Sequence, residues 1–338
     1  MKILSALVSF LFVVPLFFNV SAFAANIEDG AFLADKNSFA YRLYLNSSYK
    51  NTIKEPRGYG SYNDIYKGSL DLYYGLTEDI TLAFQGIYNY NGTEDRKGVQ
   101  KANLVSFIRA ADDVFFFDVL LGMSLGGILD AEMEAKVTGT VGGDTEEKIS
   151  PRNYSYGMYG VIAGGRFGMK ATPNLTMAIL FEATHRFSQD DTIDAEVDAT
   201  GLRHQSLPVT GTKFKAKGTF KPLTDYYTQI AFSYKAADKI YVNTKFGYQY
   251  YAEKHLKEAR VDSASANAID EGVITQLVAQ GRLNDSWYEF SFGISGIYTI
   301  TNYLQVGPYY EYMSGKNETG ALQTKQRMEY GLRINGAF

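Results

Sequence analysis

The 338-residue chain has no cysteine, only 7 prolines, 3 histidines and 1 tryptophan. Without cysteine it can form no disulfide, thiolate metal site or cysteine nucleophile. Its formal net charge of −4 argues against nucleic acid as a partner, because nucleic-acid binding needs a basic stripe. No phosphate-cradling glycine loop and no His-Glu-x-x-His metal motif occurs in it. We therefore expect no cofactor, no metal centre and no nucleic-acid partner.

Long apolar runs are also missing, except at the start. After Ala25 no run reaches the roughly 18 to 20 apolar residues that a membrane-spanning helix needs. At the start, Ile3 to Val20 is almost wholly apolar, follows a positive Lys2, and precedes the small-residue site Ala22-Phe23-Ala24. This order predicts a signal peptide over residues 1–24, cleaved after Ala24, with a membrane anchor as the alternative. Residues 25–338 then form a single domain.

What the chain does contain is strand-forming residues, among them 27 tyrosines and 22 phenylalanines. The last sixteen residues, from Gln323 to Phe338, show the pattern most clearly. One alternating set is Met328, Tyr330, Leu332, Ile334, Gly336 and Phe338, and the other is Glu329, Gly331, Arg333, Asn335 and Ala337. This period of two predicts a strand with one apolar face.

The tail resembles the C-terminal strand of Gram-negative outer-membrane β-barrel proteins of porin-like type, in which a terminal Phe closes an alternating apolar strand. The resemblance implies that Tyr330, Leu332, Ile334 and Phe338 form the signal for the barrel-assembly machinery. It also implies a location in the cell outer membrane, in contact with outer-membrane lipids and lipopolysaccharide. No subfamily can be assigned.

The rest of the chain predicts an all-β fold, a transmembrane antiparallel up-and-down β-barrel of about twelve strands, with ten or fourteen as alternatives. The strands are expected near residues 38–50, 64–76, 80–90, 99–110, 114–126, 154–169, 175–187, 223–235, 240–252, 286–298, 303–313 and 323–338. Short periplasmic turns are expected at 77–79, 111–113, 172–174, 236–238 and 299–302, alternating with long extracellular loops. Strand four is ambiguous, because Val105 and Phe107 compete with Leu104 and Ile108 for the lipid-facing side.

Outward-facing aromatic residues are expected in two bands, as at the two interfaces of a membrane barrel. The extracellular band is Tyr88, Tyr90, Tyr248, Tyr250, Tyr288, Tyr310, Tyr312 and Tyr330. The periplasmic band is Tyr74, Phe115, Tyr234, Tyr298 and Phe338.

Charged residues of inward parity predict the lining of the lumen. They are Arg42, Lys67, Arg109, Arg166, Arg186, Lys245 and Arg333, with Asp71, Asp118, Glu182, Asp225, Glu289, Glu311 and Glu329. Two interpretations compete. Opposite charges on opposite walls would form a small hydrophilic constriction, whereas pairing across the lumen would close it. Gly160, Gly164 and Gly168 are expected to leave room along strand six, and residues 26–37 look too short to be a plug.

The charged residues of the longest hairpin, between strands seven and eight, predict the register in which its two strands pair. Pairing Asp198 with Lys213, Glu196 with Lys215, Asp194 with Lys217 and Asp190 with Lys221 also places Arg186 beside Asp225. We expect this hairpin to project above the membrane as a ribbon, with packing against the loops at 127–153 and 253–285 as one way to cover its apolar face. The alternative for the acidic run from Asp190 to Asp198 is a calcium site, because carboxylate oxygens suit calcium.

These features favour a narrow porin-like channel for passive diffusion of small hydrophilic solutes or ions. One alternative is a surface-interaction or structural barrel with a closed lumen and working loops, in which residues 262–283 form a short helix or lid. The other is a lipid-modifying enzyme, which we expect not to apply. His185 and Ser188 would point to opposite faces of a strand, so that neither can activate the other.

Overall fold

The structure is a computed structural model, and it describes residues 26, 29–55, 58–62, 65–91, 96–126, 128–130, 135–137, 147–152, 158–198, 212–252, 256–261, 286–301, 303–317 and 324–337. No helix among these residues is long and apolar enough to cross a membrane. The expected signal peptide, Phe338 and the segment 262–283 lie outside the described residues.

Twelve strands form a closed antiparallel ring, which confirms the predicted fold and strand number. They are β1 Phe39–Glu55, β2 Ile65–Gly75, β3 Ile80–Asn91, β4 Arg96–Asp112, β5 Phe115–Ser124, β6 Gly160–Thr172, β7 Leu175–Arg186, β8 Leu223–Ala237, β9 Ile240–Tyr251, β10 Trp287–Thr301, β11 Leu304–Asn317 and β12 Thr324–Ala337. Each strand pairs with its neighbours in the chain order, and β12 pairs back to β1, with Ala337 opposite Ala40. Two short strands extend the ring at one end, because Gly58–Tyr62 pairs with β1 and Ile128–Asp130 pairs with β4.

Short connections alternate with long ones around the ring, as the sequence predicts. The shortest join β2 to β3, β4 to β5, β6 to β7, β8 to β9 and β10 to β11. Since both ends of the chain's strand region also lie at this side, we call it the short-turn rim and the opposite side the long-loop rim. The polar turn at 76–79 illustrates how compact these connections are, because Leu76 N and Thr77 N both donate to Ile80 O.

The outer face of the ring is apolar. Along β5 the exposed residues are Phe115, Phe117, Leu121 and Met123, while Phe116, Asp118 and Leu120 between them are buried. Exposed aromatic residues of the two predicted bands include Tyr88, Tyr248, Tyr310 and Tyr330 toward the long loops and Phe115, Tyr234 and Tyr298 toward the short turns. In the last strand Tyr330 and Leu332 are exposed on this face, and Ile334 is half-buried.

Strand β4 resolves the predicted ambiguity in favour of Leu104 as the outward residue. Leu104 is exposed, whereas Val105 is almost wholly buried on the inner side. Register shifts interrupt the pairing of β4 with both neighbours, between Ile87 and Tyr88 on β3 and between Arg109 and Ala111 on β4 itself. The sequence looked ambiguous because both faces of this strand carry apolar residues.

A second sheet of five strands lies beyond the long-loop rim. Its order is Leu256–Val261, Thr212–Phe220, Gln189–Asp198, Glu147–Arg152 and Ala135–Val137. The central pair is the predicted hairpin extension, and its two edges pair with strands from the loops at 127–153 and 253–285. Three long loops therefore build one extended sheet.

The predicted register of this hairpin is wrong by two residues. Glu196 lies opposite Lys213, Asp194 opposite Lys215, Thr192 opposite Lys217 and Asp190 opposite Thr219, so that neither Asp198 with Lys213 nor Asp190 with Lys221 is a pair. The same offset holds in the barrel, where Thr184 and not Arg186 lies opposite Asp225. A slip of two residues keeps every side chain on its face. Charge pairing favoured the wrong register, because the observed one places Thr192 opposite Lys217 and Thr219 opposite Asp190.

An arginine placed on the outer face tests whether that face meets hydrocarbon. Leu121→Arg, six positions from the β4–β5 turn, is expected to cost about 2–4 kcal/mol of folding free energy in phospholipid vesicles. Val114→Arg at the short-turn rim is the matched control and is expected to cost about 0–1 kcal/mol. Urea titrations of both variants give the comparison, and equal costs at the two positions would contradict a membrane-facing surface.

Candidate functional site: the inner wall

The concave face of the ring is identified by side-chain contacts that reach past an intervening strand. Lys67 on β2 lies 3.7 Å from Glu329 on β12, with β1 between them. Lys245 on β9 lies 3.0 Å from Glu311 on β11, and Arg333 Nη1 on β12 donates to Ser295 Oγ on β10 at 3.1 Å. Side chains on the convex face diverge, so that such contacts form on the inside.

Predicted lumen residues on this wall form ion pairs. The pairs are Arg42–Asp71, Lys67–Glu329, Arg109–Asp118, Arg166–Asp118, Arg186–Asp225, Lys245–Glu311 and Arg327–Glu329. Arg186 and Asp225 meet at 2.8 Å on the diagonal, because the residue directly opposite Asp225 is Thr184.

The partners in these pairs sit on the same strand, on adjacent strands or on strands one apart. Within the part of the chain that the structure describes, charges of opposite sign therefore pair along the wall and are not segregated on opposite walls. Both interpretations of the charge pattern need this correction. Pairing along the wall satisfies buried charges.

Asp118 on β5 has the most buried carboxylate of the set, with its side chain 0% exposed. Arg109 Nε donates to Asp118 Oδ1 at 2.5 Å, and Arg166 Nε donates to Asp118 Oδ2 at 2.6 Å. The same guanidinium groups also donate to backbone carbonyls of the N-terminal segment, Arg109 to Ala31 O at 2.7 Å and Arg166 to Phe32 O at 3.0 Å. One buried carboxylate thus positions two arginines that hold another part of the chain.

The N-terminal segment runs inside the barrel near the short-turn rim. Asn26 Nδ2 donates to Ser233 Oγ at 2.6 Å and to Asn243 Oδ1 at 3.0 Å, on β8 and β9. Farther along, Ala34 N donates to Thr81 Oγ1 on β3 at 3.0 Å. The contacts therefore cross from one side of the ring to the other.

This path corrects the expectation that residues 26–37 are too short to be a plug. Even with turn hydrogen bonds from Asp29 N to Asn26 O and from Phe32 N to Asp29 O, the described residues contact the wall from β8 and β9 to β3. Polar groups of the segment supply these hydrogen bonds.

Asp29 and Gly30 fit the segment closely against β7. Thr176 Oγ1 donates to Asp29 Oδ2 at 3.1 Å, and Ala31 N donates to Asp29 Oδ1 at 2.9 Å. Burial raises the pKa of Asp29, opposed by these hydrogen bonds and by the nearby Arg166 and Lys170. A Cβ on Gly30 would overlap the Cβ of Ala178, so only glycine lets the segment approach the wall there.

A ladder of cations and tyrosines lines the wall from β2 across β1 and β12 to β11. Arg333 lies between Tyr44 and Tyr309, with its guanidinium carbon 4.4 and 3.8 Å from the two ring centroids. Arg42 lies 5.1 Å from the Tyr44 centroid, and Lys245 lies 5.3 Å from that of Tyr309. Cation–π contacts of this kind stabilise positive charge in a desolvated place.

The wall formed by β4 to β7 is different, because apolar residues pack there on the inner side. Val105, Leu120 and Ile162 form a buried cluster with Phe107 and Leu180 packed against it. A Cβ on Gly168 would overlap the Phe116 ring, so this glycine makes room for Phe116. The expectation that Gly168 leaves open space for solutes is therefore wrong.

The remaining predicted residues have less definite partners. Glu182 is buried, with Thr184 Oγ1 at 3.5 Å, and Glu289 is half-buried on β10. Sequence reasoning missed Arg327, whose Nε lies 2.9 Å from Glu329 Oε1. It has the same parity as Glu329 and Arg333, and that signal would have identified it.

His185 lies at the long-loop end of β7 on the outer face, exposed, with Nδ1 2.9 Å from Thr224 Oγ1 and its ring edge-on to Phe187. Side chains of the acidic run Asp190–Asp198 lie outside the described set, so the calcium alternative stays a prediction. Among the residues the structure describes, no group of three or more His, Asp or Glu could hold a metal ion.

Similarity to other proteins is confined to the fold. No protein-family model matches the chain, and no curated protein is similar to it in sequence. The COG4313 outer membrane channel from Pseudomonas putida F1 aligns with a TM-score of 0.51 at 10% identity, over 93% of this chain and 99% of that one. The deltaS2 mutant of the TodX monoaromatic hydrocarbon channel aligns with a TM-score of 0.51 at 11% identity, over 93% and 92%. The fold is thus that of Gram-negative outer-membrane β-barrel channels.

Removing the Asp118 carboxylate tests its role as the anchor of this wall. Asp118→Asn leaves Arg109 and Arg166 without their buried counter-charge and is expected to cost about 3–5 kcal/mol of folding free energy. Asp112→Asn, which changes a half-exposed carboxylate beside Arg109 and Lys170, is the control, with an expected cost of about 0–1 kcal/mol. Both values come from urea unfolding in vesicles, and a small cost at Asp118 would show that the two arginines need no shared anion.

Proposed function

We propose that the protein is a narrow outer-membrane channel for passive diffusion of small hydrophilic solutes or ions. The observation that carries the proposal is the closed ring, which is apolar outside and charged inside. Ion pairs between the same or nearby strands support an aqueous path, because these charges find their partners without reaching for the opposite wall. Interiors of barrels of this size lie between filled eight-stranded barrels and water-filled porins.

The location and assembly of the protein form part of the same proposal. Residues 1–24 direct export, the outer face contacts outer-membrane lipids and lipopolysaccharide, and the barrel-assembly machinery recognises the final strand through Tyr330, Leu332, Ile334 and Phe338. Exposure of Tyr330 and Leu332 on the outer face supports this role. So does the position of β12, whose pairing with β1 closes the ring.

Hydrophilic solutes fit this lumen better than apolar ones. The apolar residues Val105, Leu120 and Ile162 are buried against one another, so they offer a solute little surface. Side chains that remain partly exposed inside the barrel include Arg42, Lys67 and Lys245. A solute in transit would meet charge, and apolar solutes gain nothing from such a surface.

The N-terminal segment limits this channel in the conformation described. It lies across the short-turn end of the lumen, where its contacts with β3, β7, β8 and β9 occupy the wall. We propose that it sets a low conductance and that its displacement widens the path.

A second candidate function is surface interaction, favoured by the five-stranded sheet beyond the long-loop rim. That sheet draws strands from three separate loops, and an ordered platform of this kind suits a binding surface. Deleting residues 189–220 would separate the functions, since a channel keeps its conductance while a surface-interaction protein loses its binding to cells or envelope components.

Deleting residues 26–34 from the mature chain is expected to raise single-channel conductance in planar bilayers, because the segment then no longer lies in the lumen. Gly30→Leu is expected to act in the same direction with a smaller effect, since a side chain at this position cannot fit against Ala178. Lys235→Ala, which removes an exposed ion pair with Asp238, is the control and should leave conductance unchanged. If neither the wild type nor the deletion variant conducts, the channel proposal fails.

A further inference from the structure

Exposure is distributed unequally within the inner-wall ion pairs. The Lys245 side chain is 28% exposed and its partner Glu311 is 11% exposed. For Arg42 and Asp71 the values are 22% and 10%, and for Lys67 and Glu329 they are 22% and 2%. In each pair the cation is the partner that solvent in the lumen reaches.

The remaining inner-wall pairs follow the same order. Arg186 is more exposed than Asp225, Arg327 is more exposed than Glu329, and both Arg109 and Arg166 are more exposed than Asp118. The order is reversed at the short-turn rim, where Asp112 is more exposed than Arg109. Of the other inward carboxylates, Glu182 is buried, and Glu289 lies within electrostatic range of Arg327.

This arrangement turns a balanced set of charges into an asymmetric surface. Carboxylates lie back against the strands, while ammonium and guanidinium groups project toward the lumen. An ion inside the barrel is therefore closer to the cations than to their counter-charges, and low-dielectric walls focus the resulting field. Screening weakens the field over about 10 Å at 0.1 M salt, a distance comparable to the half-width of a small lumen.

We infer that the lumen attracts small anions, such as chloride and short carboxylates, in preference to cations, through Lys245, Arg42 and Lys67. The inference deepens the proposed channel function and rests on it for the claim that anions also pass through. The predicted inward-facing set holds seven basic and seven acidic residues, and such a balance by itself would suggest no preference. The preference arises because the cation of each inner-wall pair is more exposed to the lumen than the carboxylate.

Reversal potentials measured across a potassium chloride gradient test the preference in planar bilayers containing the full mature chain. At about 0.1 M salt the chloride-to-potassium permeability ratio is expected to exceed 1 by at least about twofold. The double variant Lys245→Glu with Glu311→Lys keeps the net charge and the pair but places the carboxylate at the more exposed position. It is expected to lower the ratio by at least about twofold.

The matched control is the same exchange in an exposed turn pair, Lys235→Asp with Asp238→Lys, which should leave the ratio unchanged. A conducting wild type with a ratio of 1 or less would overturn the inference and leave the channel proposal standing. An exchange at 245 and 311 that did not alter the ratio would also overturn it.

Absence of conductance in every variant would reject the channel proposal. Cysteine accessibility tests the attraction of anions to the lumen even in that case. The chain has no native cysteine, so a single introduced thiol gives an unambiguous signal. Gln229→Cys places the thiol on the inner wall of β8, where Gln229 accepts a hydrogen bond from Tyr227 Oη. Gln229 pairs with Gly247 on β9, which is two residues from Lys245 on the same face. Glu78→Cys lies in an exposed turn and is the control.

An anionic methanethiosulfonate reagent is expected to modify position 229 at least about twofold faster than a cationic one, after normalisation to position 78. The advantage should shrink as the salt concentration rises. Equal rates, or faster modification by the cationic reagent, would overturn the inference whether or not the protein conducts.

Discussion

The constraint on which the rest of this structure depends is that backbone groups facing hydrocarbon must find their hydrogen bonds within the protein. An open sheet would leave one edge unpaired, and the pairing of β12 with β1 removes that edge. Closure then gives each strand one convex and one concave side. Alternate residues must therefore satisfy two different environments, and this is why apolar and charged residues follow one another along the strands.

Charges that are buried on the concave side must find partners. Neighbouring strands supply those partners at short distance, as for Arg42 with Asp71, so the pairs follow the wall. Asp118 binds two arginines instead of one, and these arginines also donate to the backbone carbonyls of Ala31 and Phe32. The electrostatics of the wall and the course of the N-terminal segment are thus one arrangement. The same arrangement leaves the cationic ends nearest the lumen.

Several elements were predictable because their signal is local. Alternation along β5 separates Phe117 and Leu121 from Asp118, and the turn at 76–79 has the polar composition of a tight connection. Other elements depended on contacts that are distant in sequence. From the sequence, Val105 and Leu104 were equally good candidates for the outer face. The packing of Val105 with Leu120 and Ile162 inside the barrel shows that Val105 faces inward. The predicted hairpin register was wrong by two residues because it maximised charge pairs between an acidic strand and a lysine-rich one, whereas the observed register keeps only Glu196 with Lys213 and Asp194 with Lys215.

The sequence by itself determined the class of fold, about twelve strands with ten or fourteen as alternatives, and, outside β4, the alternation of inward and outward side chains, because a period of two is a property of each strand alone. Tertiary structure alone decided which carboxylate each cation meets, that Asn26 and residues 29–34 contact the inner wall, and that the cation is the more exposed partner in the inner-wall pairs. The physical reason is that pairing and exposure are set by ring closure, which brings β12 next to β1 although the two strands lie at opposite ends of the chain. Lys67 on β2 can then reach Glu329 on β12. No local pattern records those distances.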